Sequence, residues 1–285
     1  MTEHMNASGH MNASGHASAT GHARASEAGE PRPAAYTNRE MMAISAGRLI
    51  HDGDILFAGT GVAMLAAAVA KRIYAPKAVL FFETGAIDPE LDELPLAVSD
   101  PRVMNRASLN SGLVEAFSII GHRKLHTVAF LGAAQIDRYG NLNSTCIGDY
   151  HHPTVRFSGS GGAADAASLA SGFIVFMEHG RRKFVEKLDY LTSPGWLSGG
   201  DARREAGFVR GGPIAAVTDL GVMEFDETTH EMYVAEYYPG VTLDEIVADT
   251  GFSIDVSRAV EAEPPTPEEL AILRDEIDPQ RLILG

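Results

Sequence analysis

The chain is nearly without cysteine, which limits both its cross-links and its metal chemistry. Cys146 is the one cysteine among 285 residues, so a disulfide within the chain is impossible. Proteins of oxidising compartments commonly carry disulfides, whereas a single thiol is typical of a reducing compartment. We therefore expect a cytoplasmic protein. No group of cysteines and histidines has the spacing of zinc ligands, so we also expect no metal site.

Long apolar runs are lacking as well. A membrane-spanning helix needs about 20 consecutive apolar residues, and the sequence contains no run of that length. The N-terminus also lacks the apolar core of a secretory signal. The sequence therefore predicts a protein that does not insert into a membrane.

Basic residues are too few to balance the acidic ones. The chain has 23 lysines and arginines against 38 aspartates and glutamates, a formal net charge of -15. Proteins that bind nucleic acid or anionic membrane surfaces present a basic footprint, which this composition does not supply. We expect neither as a partner. An anionic small molecule is still compatible, because a local site can oppose the overall charge.

The first part of the chain differs from the rest in composition. The hexapeptide His-Met-Asn-Ala-Ser-Gly at residues 4–9 recurs at 10–15, and residues 16–21 are similar. Such small and polar residues cannot form a core, so residues 1–35 are predicted to be a disordered tail. Its regularly spaced histidines leave metal capture open, but a flexible tail is the favoured interpretation. We predict one folded domain over residues 36–285.

Apolar strand patterns alternate with helical patterns through this domain. Thr37 and Glu40 have the spacing of a capping box, which predicts the start of a helix. Alternation of this kind is typical of an α/β fold with an open, largely parallel sheet and helices on both faces. The predicted strands are 55–58, 78–82, 127–131, 173–177, 214–218, 222–225 and 232–235.

A lone carboxylate follows one of these strands and is the strongest candidate for chemistry. The apolar run of residues 78–82 leads directly into Glu83, Thr84 and Gly85. In open α/β sheets, ligands bind beyond the carboxyl ends of the strands. Glu83 is therefore a candidate nucleophile or general base. The alternative is a glutamate that only begins a loop.

A glycine-rich segment precedes an alanine-rich helix later in the chain. Gly159, Gly161 and Gly162 stand just before this helix. Backbone N–H groups in such a turn can bind a phosphate or a developing negative charge. The spacing is not the fingerprint of dinucleotide binding, because the third glycine of that motif is absent.

Seven short motifs occur in one order within residues 36–285. They are Tyr36-Thr-Asn-Arg-Glu-Met41, Glu83-Thr-Gly85, Gly132-Ala-Ala-Gln-Ile-Asp137, Tyr139-Gly-Asn-Leu-Asn-Ser144, Ile147-Gly-Asp-Tyr-His-His-Pro153, Phe157-Ser-Gly-Ser-Gly-Gly162 and Leu191-Thr-Ser-Pro-Gly-Trp196. No single motif is specific, but together and in this order they closely resemble the B subunits of class I CoA-transferases of the glutaconate type.

The resemblance implies a mechanism in which Glu83 is the catalytic nucleophile. In this family a glutamate attacks the acyl-CoA to give a mixed anhydride and then a glutamyl-CoA thioester. Thr84 stands where the glutaconate enzymes have serine and keeps a hydroxyl group. Gly159, Gly161 and Gly162 would supply N–H groups to the thioester or to CoA. The further residues expected in the pocket are Thr84, Gly85, Gln135 and Asn141.

The resemblance also implies partners. CoA would be a substrate and product rather than a permanent cofactor, and the acids would be carboxylic or dicarboxylic acids such as glutaconate. Enzymes of this type divide their two halves between an A and a B chain, and this chain matches the B half. We therefore expect activity only in complex with an A subunit.

Other activities of the same superfamily remain open. CoA-thioester hydrolases and decarboxylases resemble this chain, but the decarboxylases have cysteine in place of the glutamate. The steroid-type hydrolases lack a glutamate in this setting, so Glu83 favours the transferase. Water that intercepts a Glu83 intermediate would still give net hydrolysis. A non-catalytic subunit is the alternative from a different class, and the joint presence of Glu83 and the glycine-rich segment argues against it.

Overall fold

A ten-stranded mixed sheet runs through the computed structural model, which describes residues 36–285. The predicted disordered tail lies outside the described residues. The strands of the described part are, in chain order, β1 (Ile55–Phe57), β2 (Val79–Phe81), β3 (Ala86–Ile87), β4 (Leu109–Asn110), β5 (Thr127–Gly132), β6 (Gln135–Ile136), β7 (Leu142–Asn143), β8 (Cys146–Gly148), β9 (Pro153–Arg156), β10 (Gly172–Phe176), β11 (Pro213–Val217), β12 (Gly221–Phe225), β13 (Met232–Tyr237) and β14 (Val260–Glu261).

The centre of the sheet is parallel, as the sequence predicts. The order is β14-β13-β12-β11-β10-β5-β1-β2-β3-β4, and the strands from β11 to β2 are mutually parallel. Pairs β11–β12, β12–β13, β2–β3 and β3–β4 are antiparallel, while β13–β14 is parallel. The α/β class with an open, largely parallel sheet is thus confirmed.

Helices cover both faces of the sheet. The α-helices are α1 (Asn38–Arg48), α2 (Val62–Val69), α3 (Leu113–Ile120), α4 (Ala163–Leu169), α5 (Ala202–Glu205), α6 (Leu243–Ala248) and α7 (Pro267–Ala271). Residues Ala70–Tyr74 and Ile272–Ile277 continue α2 and α7 as π-helical turns, and Pro101–Met104 is a 3₁₀ helix.

Side chains alternate between the two faces along each strand, which divides the core in two. Leu56 and Leu80 point to the face packed by α1 and α2. Phe57 and Phe81 point to the opposite face, which α3, α4 and α6 cover. The strands are buried on both sides, which explains why their sequences are continuously apolar.

The predicted capping box at the first helix is confirmed. The Glu40 backbone N–H donates to Thr37 Oγ1 at 3.3 Å, and the Thr37 N–H donates to Glu40 Oε2 at 2.7 Å. The Glu40 carboxylate also accepts hydrogen bonds from Arg274, so it joins α1 to the C-terminal segment. One local motif thus also fixes a contact between distant parts of the chain.

The elements missed by the sequence are short. They include β3 and the edge strand β4 at one end of the sheet, the edge strand β14 at the other end, and the paired strands β6–β7 and β8–β9. Strands of two to four residues are too short to display a periodicity, so only tertiary pairing defines them. Among the described residues, no helix is both long and apolar enough to cross a membrane.

Candidate active site

Glu83 lies in a tight turn that connects β2 to the antiparallel strand β3. The N–H of Phe82 donates to the carbonyl of Ala86, and the N–H of Gly85 donates to the carbonyl of Phe82. Gly85 has φ +101°, and a Cβ atom there would stand 2.2 Å from the Ser111 carbonyl oxygen. Glycine is therefore required for conformation and for space, and the turn holds the half-buried Glu83 at the carboxyl edge of the sheet.

The Glu83 carboxylate points to the face covered by α3 and α4. Phe57 packs against Phe81 and against Phe117 of α3, with ring centroids 5.4 and 5.9 Å apart. Beyond these rings, a Cβ atom at Gly162 would stand 3.1 Å from Glu83 Oε2 and 2.5 Å from the Phe117 ring. No side chain fits at position 162, because the carboxylate and the ring already occupy that space.

Glu83 lines a cavity of about 650 Å³ between α3 and the start of α4. Two carboxylates and three apolar side chains dominate the lining, and no lysine or arginine belongs to it among the described residues. The lining residues are Glu83, Leu113, Val114, Phe117, Ser118, Gly161, Gly162 and Asp165.

Two of the three predicted glycines, Gly161 and Gly162, line this cavity. Within the described part of the chain, the N–H groups of Gly161 and Gly162 have no acceptor. The N–H of Gly159 instead donates to the Ser144 carbonyl at 3.0 Å, and Gly159 lies outside the lining. Free donors beside a carboxylate can stabilise an oxyanion that forms when the carboxylate attacks a carbonyl carbon.

A buried polar network holds the glycine-rich segment in place. Ser144 Oγ donates to the Gly159 carbonyl at 3.0 Å, and the Ser144 N–H donates to Thr192 Oγ1 at 2.9 Å. The Thr192 hydroxyl also lies 2.8 Å from the hydroxyl of Thr145. These bonds fix the segment just before Gly161. They therefore hold Gly161 and Gly162 in position while leaving the N–H groups of both residues free.

Gln135 and Asn141, which the sequence predicts in the pocket, belong to hydrogen-bond networks outside the cavity lining. Gln135 donates to Asp189 at 2.6 Å and accepts from Asn143 at 2.8 Å. Asn141 donates to the Leu197 carbonyl at 2.7 Å. Both side chains are buried. The structure brings neither of them together with Glu83, and their role in the pocket stays a prediction.

Thr84, Gly85 and Cys146 also lie outside the lining of the cavity. The Thr84 hydroxyl is buried and has no hydrogen-bond partner within the described residues. Cys146 is fully buried in β8, with its Sγ 3.9 Å from the Gly148 carbonyl oxygen. The roles of Thr84 and Gly85 in the pocket likewise stay predictions.

Sequence reasoning missed the α3 wall of the cavity and the second carboxylate. Leu113, Val114, Phe117 and Ser118 all lie on α3, and Asp165 lies in the first turn of α4. The helical spacing of the α3 residues indicates one face. Nothing in that spacing indicates that the face lies over Glu83, because the two segments meet only in the tertiary structure.

A second cavity of about 860 Å³ lies at the same edge of the sheet, next to α1 and α2. The Gly59-Thr60-Gly61 turn lines it, together with Glu178 and Asp219. Glycines at a turn between a strand and a helix let a backbone approach a ligand closely. Glu83 is not part of this cavity and lines only the smaller one of the two.

No group of three or more His, Cys, Asp or Glu side chains among residues 36–285 is arranged to hold a metal ion. Glu83 and Asp165, the two carboxylates of the cavity, have no third ligand beside them. Among the described residues, the polar groups of the site are these two carboxylates, the Ser118 hydroxyl and the backbone N–H groups.

Comparison with known proteins identifies similar chains over most of this length. The family profile described as Coenzyme A transferase matches residues 39–249. The chain is 44% identical to the B subunit of glutaconate CoA-transferase from Acidaminococcus fermentans over 249 residues, which cover 86% of this chain and 93% of that protein. It is 38% identical to the B subunit of 3-oxoadipate CoA-transferase from Pseudomonas knackmussii over 244 residues, 85% of this chain and 93% of that protein.

The fold of this chain is also similar to that of a solved structure. The crystal structure of glutaconate coenzyme A-transferase from Acidaminococcus fermentans matches with a TM-score of 0.85 and 42% identity. The match covers 88% of this chain and 98% of the chain compared. The similarity therefore extends to the arrangement of the sheet and helices that form the cavity.

Proposed function

The chain belongs to the coenzyme A transferase family, and from this premise we propose that it is the B subunit of a two-chain enzyme that moves CoA between an acyl-CoA and a dicarboxylic acid. One observation carries the proposal. Glu83, Gly161 and Gly162 line one cavity, and within the described residues the N–H groups of the two glycines have no acceptor. CoA is a substrate and product here, and the reaction uses no permanently bound cofactor.

The first half of the reaction begins at Glu83. One carboxylate oxygen attacks the thioester carbonyl of the donor acyl-CoA, the C–S bond breaks, and CoA leaves as a thiolate. Glu83 then carries the acyl group as a mixed anhydride. The thiolate attacks the glutamyl carbonyl carbon, which releases the donor acid as a carboxylate and leaves a thioester between Glu83 and CoA.

The second half reverses these steps with the acceptor acid. Its carboxylate attacks the Glu83 thioester, and the returning thiolate takes the acceptor acyl group from the resulting anhydride. Each attack places negative charge on a carbonyl oxygen close to Glu83. The N–H groups of Gly161 and Gly162 can bind that oxygen, which lowers the barrier because the donors are already oriented.

The acid is a dicarboxylic acid in this proposal, since the two similar B subunits are named for glutaconate and 3-oxoadipate. The cavity wall built by the described residues has carboxylates at Glu83 and Asp165 but no basic side chain. A second carboxylate on the substrate needs a cation or hydrogen-bond donors. We therefore assign the binding of that group to the A subunit.

The A subunit docks beside the cavity in this proposal. Leu109 of β4 and Leu113 and Val114 of α3 are 55%, 58% and 74% exposed. Two of these side chains also line the cavity. Apolar side chains grouped at the open edge of an active site are typical of a surface that a partner covers. The A chain would thus close the cavity and exclude water from the Glu83 intermediates.

The test is to co-express the chain with its A subunit and to compare Glu83→Gln with Asp165→Asn. Both changes remove one carboxylate from the cavity, so Asp165→Asn is the matched control. We expect Glu83→Gln to lower kcat by at least about 10⁴-fold, as removal of a nucleophile does. Asp165→Asn should retain most of the activity.

Mass spectrometry identifies the intermediate directly. After incubation of the A/B complex with acyl-CoA, the peptide that contains Glu83 should carry a CoA-sized adduct, and borohydride should reduce it with loss of activity. Consumption of the thioester without an adduct would support the hydrolase alternative, with Glu83 as a general base. Unchanged activity in Glu83→Gln would eliminate Glu83 as the catalytic group.

A further inference from the structure

Two arginines at the amino edge of the sheet bind backbone carbonyls instead of carboxylates. Arg203 is only 3% exposed, and its guanidinium donates to the carbonyls of Pro194, Gly195 and Ala167 at 3.0, 2.8 and 2.6 Å. Arg210 lies next to it, because Arg203 Nη2 also donates to the Arg210 carbonyl at 3.3 Å. Within the described residues, neither arginine forms a salt bridge.

Arg210 joins the ends of two helices to the start of a central strand. Its Nε donates to the Leu169 carbonyl at 3.1 Å, and its Nη2 donates to the Ile120 carbonyl at 3.1 Å. The same Nη2 donates to Thr127 Oγ1 at 3.0 Å, in the first residue of β5. Nη1 donates to the carbonyls of His122 and Leu125. One side chain thus uses all three nitrogens of its guanidinium group.

Three of the accepting carbonyls belong to the two helices that form the Glu83 cavity. Ile120 is the last residue of α3, while Ala167 and Leu169 lie in the last turn of α4. The last carbonyls of a helix have no partner within the helix, so an external donor is needed, and a cation also interacts favourably with the helix dipole. With 8 and 7 residues, these helices span about 10 to 12 Å.

We propose that Arg203 and Arg210 are positioning residues for CoA transfer. Arg210 holds the carboxyl ends of α3 and α4 together, Arg203 holds the end of α4 and the backbone of Arg210, and the pair thereby sets Gly162 and its N–H group against Glu83 and Phe117. The inference rests on the proposed function of this same cavity. Neither arginine reaches the reacting atoms, so both act through the helices.

Close packing between α3 and the start of α4 makes the position of Gly162 sensitive to any shift of the two helices. Phe117 of α3 lies so close to Gly162 that a Cβ atom there would be 2.5 Å from its ring. Protein interiors are close-packed, so a shift of one helix end moves the whole short helix. A displacement of α4 against α3 would change the distance between the Gly162 N–H and a carbonyl bound at Glu83. Displacements of about 1 Å can lower a rate about 100-fold.

The experiment uses the A/B complex with Arg210→Gln, Arg210→Lys and the control Arg204→Gln. Arg204 is exposed on α5 and pairs with Asp201 at the surface. We expect Arg210→Gln to lower kcat about 10- to 100-fold with KM changed by less than about twofold, since the lost interaction acts on the transition state. Arg210→Lys keeps the positive charge but not the planar set of donors, so its kcat should lie between those of the wild type and Arg210→Gln.

Hydrogen exchange separates this inference from the proposed function. In Arg210→Gln, the hydrogen-bonded amides of Ala163, Ala164 and Ala166 next to Gly162 should exchange faster than in wild type. They lie toward the amino end of α4, away from Arg210, and Arg204→Gln should not change their exchange. Unchanged exchange there, with kcat as in wild type, would overturn the positioning role. If the wild-type complex transfers no CoA, the proposed function fails, while the exchange result still decides the positioning of the helices.

Discussion

Glu83 Oε2 lies 3.1 Å from the position that a Cβ atom would take at Gly162. The two residues are distant in sequence, but the sheet edge and α4 bring the carboxylate to the start of a helix with free N–H groups. The same position is only 2.5 Å from the ring of Phe117. Gly162 thus combines a free N–H group with the absence of a side chain, which leaves room for the Glu83 carboxylate and the Phe117 ring.

Gly162→Ala should therefore impair catalysis strongly. The added methyl group must displace the Phe117 ring or the Glu83 carboxylate, so kcat and kcat/KM should both fall about 100-fold in steady-state assays of the A/B complex. Gly121→Ala is the control, because its Cβ would stand 3.8 Å from Leu169. Wild-type turnover in Gly162→Ala would disprove the close approach of these groups.

Val114→Asp should weaken the association with the A subunit. Val114 is 74% exposed at the rim of the cavity, and a buried unpaired carboxylate there would cost several kcal/mol, roughly a 100-fold or greater loss of affinity. Val209→Asp is a matched control, since Val209 is 73% exposed but is not part of the cavity lining. The affinity of each variant for the A subunit is measured by analytical ultracentrifugation. Equal affinities of the two variants would show that the interface with the A subunit does not include the rim at Val114.

Gln135→Leu should lower stability more than it changes substrate binding. The Gln135 side chain donates to Asp189 and accepts from Asn143, so a leucine at this position removes both hydrogen bonds. We expect a loss of about 2 kcal/mol in the free energy of unfolding, measured in urea. KM should stay the same, and a large rise in KM would instead support the predicted pocket role. Gln280→Leu, at an exposed site that contacts Glu93, is the control.

Stability should depend on pH through Glu40. Burial raises the pKa of this carboxyl, but hydrogen bonds from Arg274 and Thr37 outweigh it and hold the pKa below its usual value of 4.5. A depressed pKa stabilises the fold above pH 4.5, and this contribution disappears as the pH falls through the folded-state pKa.

Glu40→Gln isolates this contribution from those of the other acidic groups. The variant should be about 2 kcal/mol less stable than wild type near neutral pH, and the difference should shrink below the usual glutamate pKa of 4.5. Urea unfolding at several pH values measures it. Glu276→Gln is the control, since its pair with Arg72 is at the surface. A difference that stays constant into acid would contradict the depressed pKa.

Much of the fold could be predicted because the relevant signals are local. The buried strands at the centre of the sheet are continuous apolar runs, and the observed β1, β2, β5 and β10 fall on predicted segments. The capping box of Thr37 and Glu40 was predictable for the same reason. The short strands β3 and β4 were not, because pairing with a neighbour defines them rather than their own composition.

The sequence by itself determined the α/β class, the capped first helix, the carboxylate at a strand end and the glycines before a helix. Each of these follows from residues adjacent in the chain, whose propensities and spacing act locally. Tertiary structure alone decided that Phe117 lies against Gly162, that Gly159 uses its N–H within the fold, and that Arg210 joins the ends of α3 and α4. These contacts depend on how helices pack on the sheet, a relationship between distant segments that no local pattern carries.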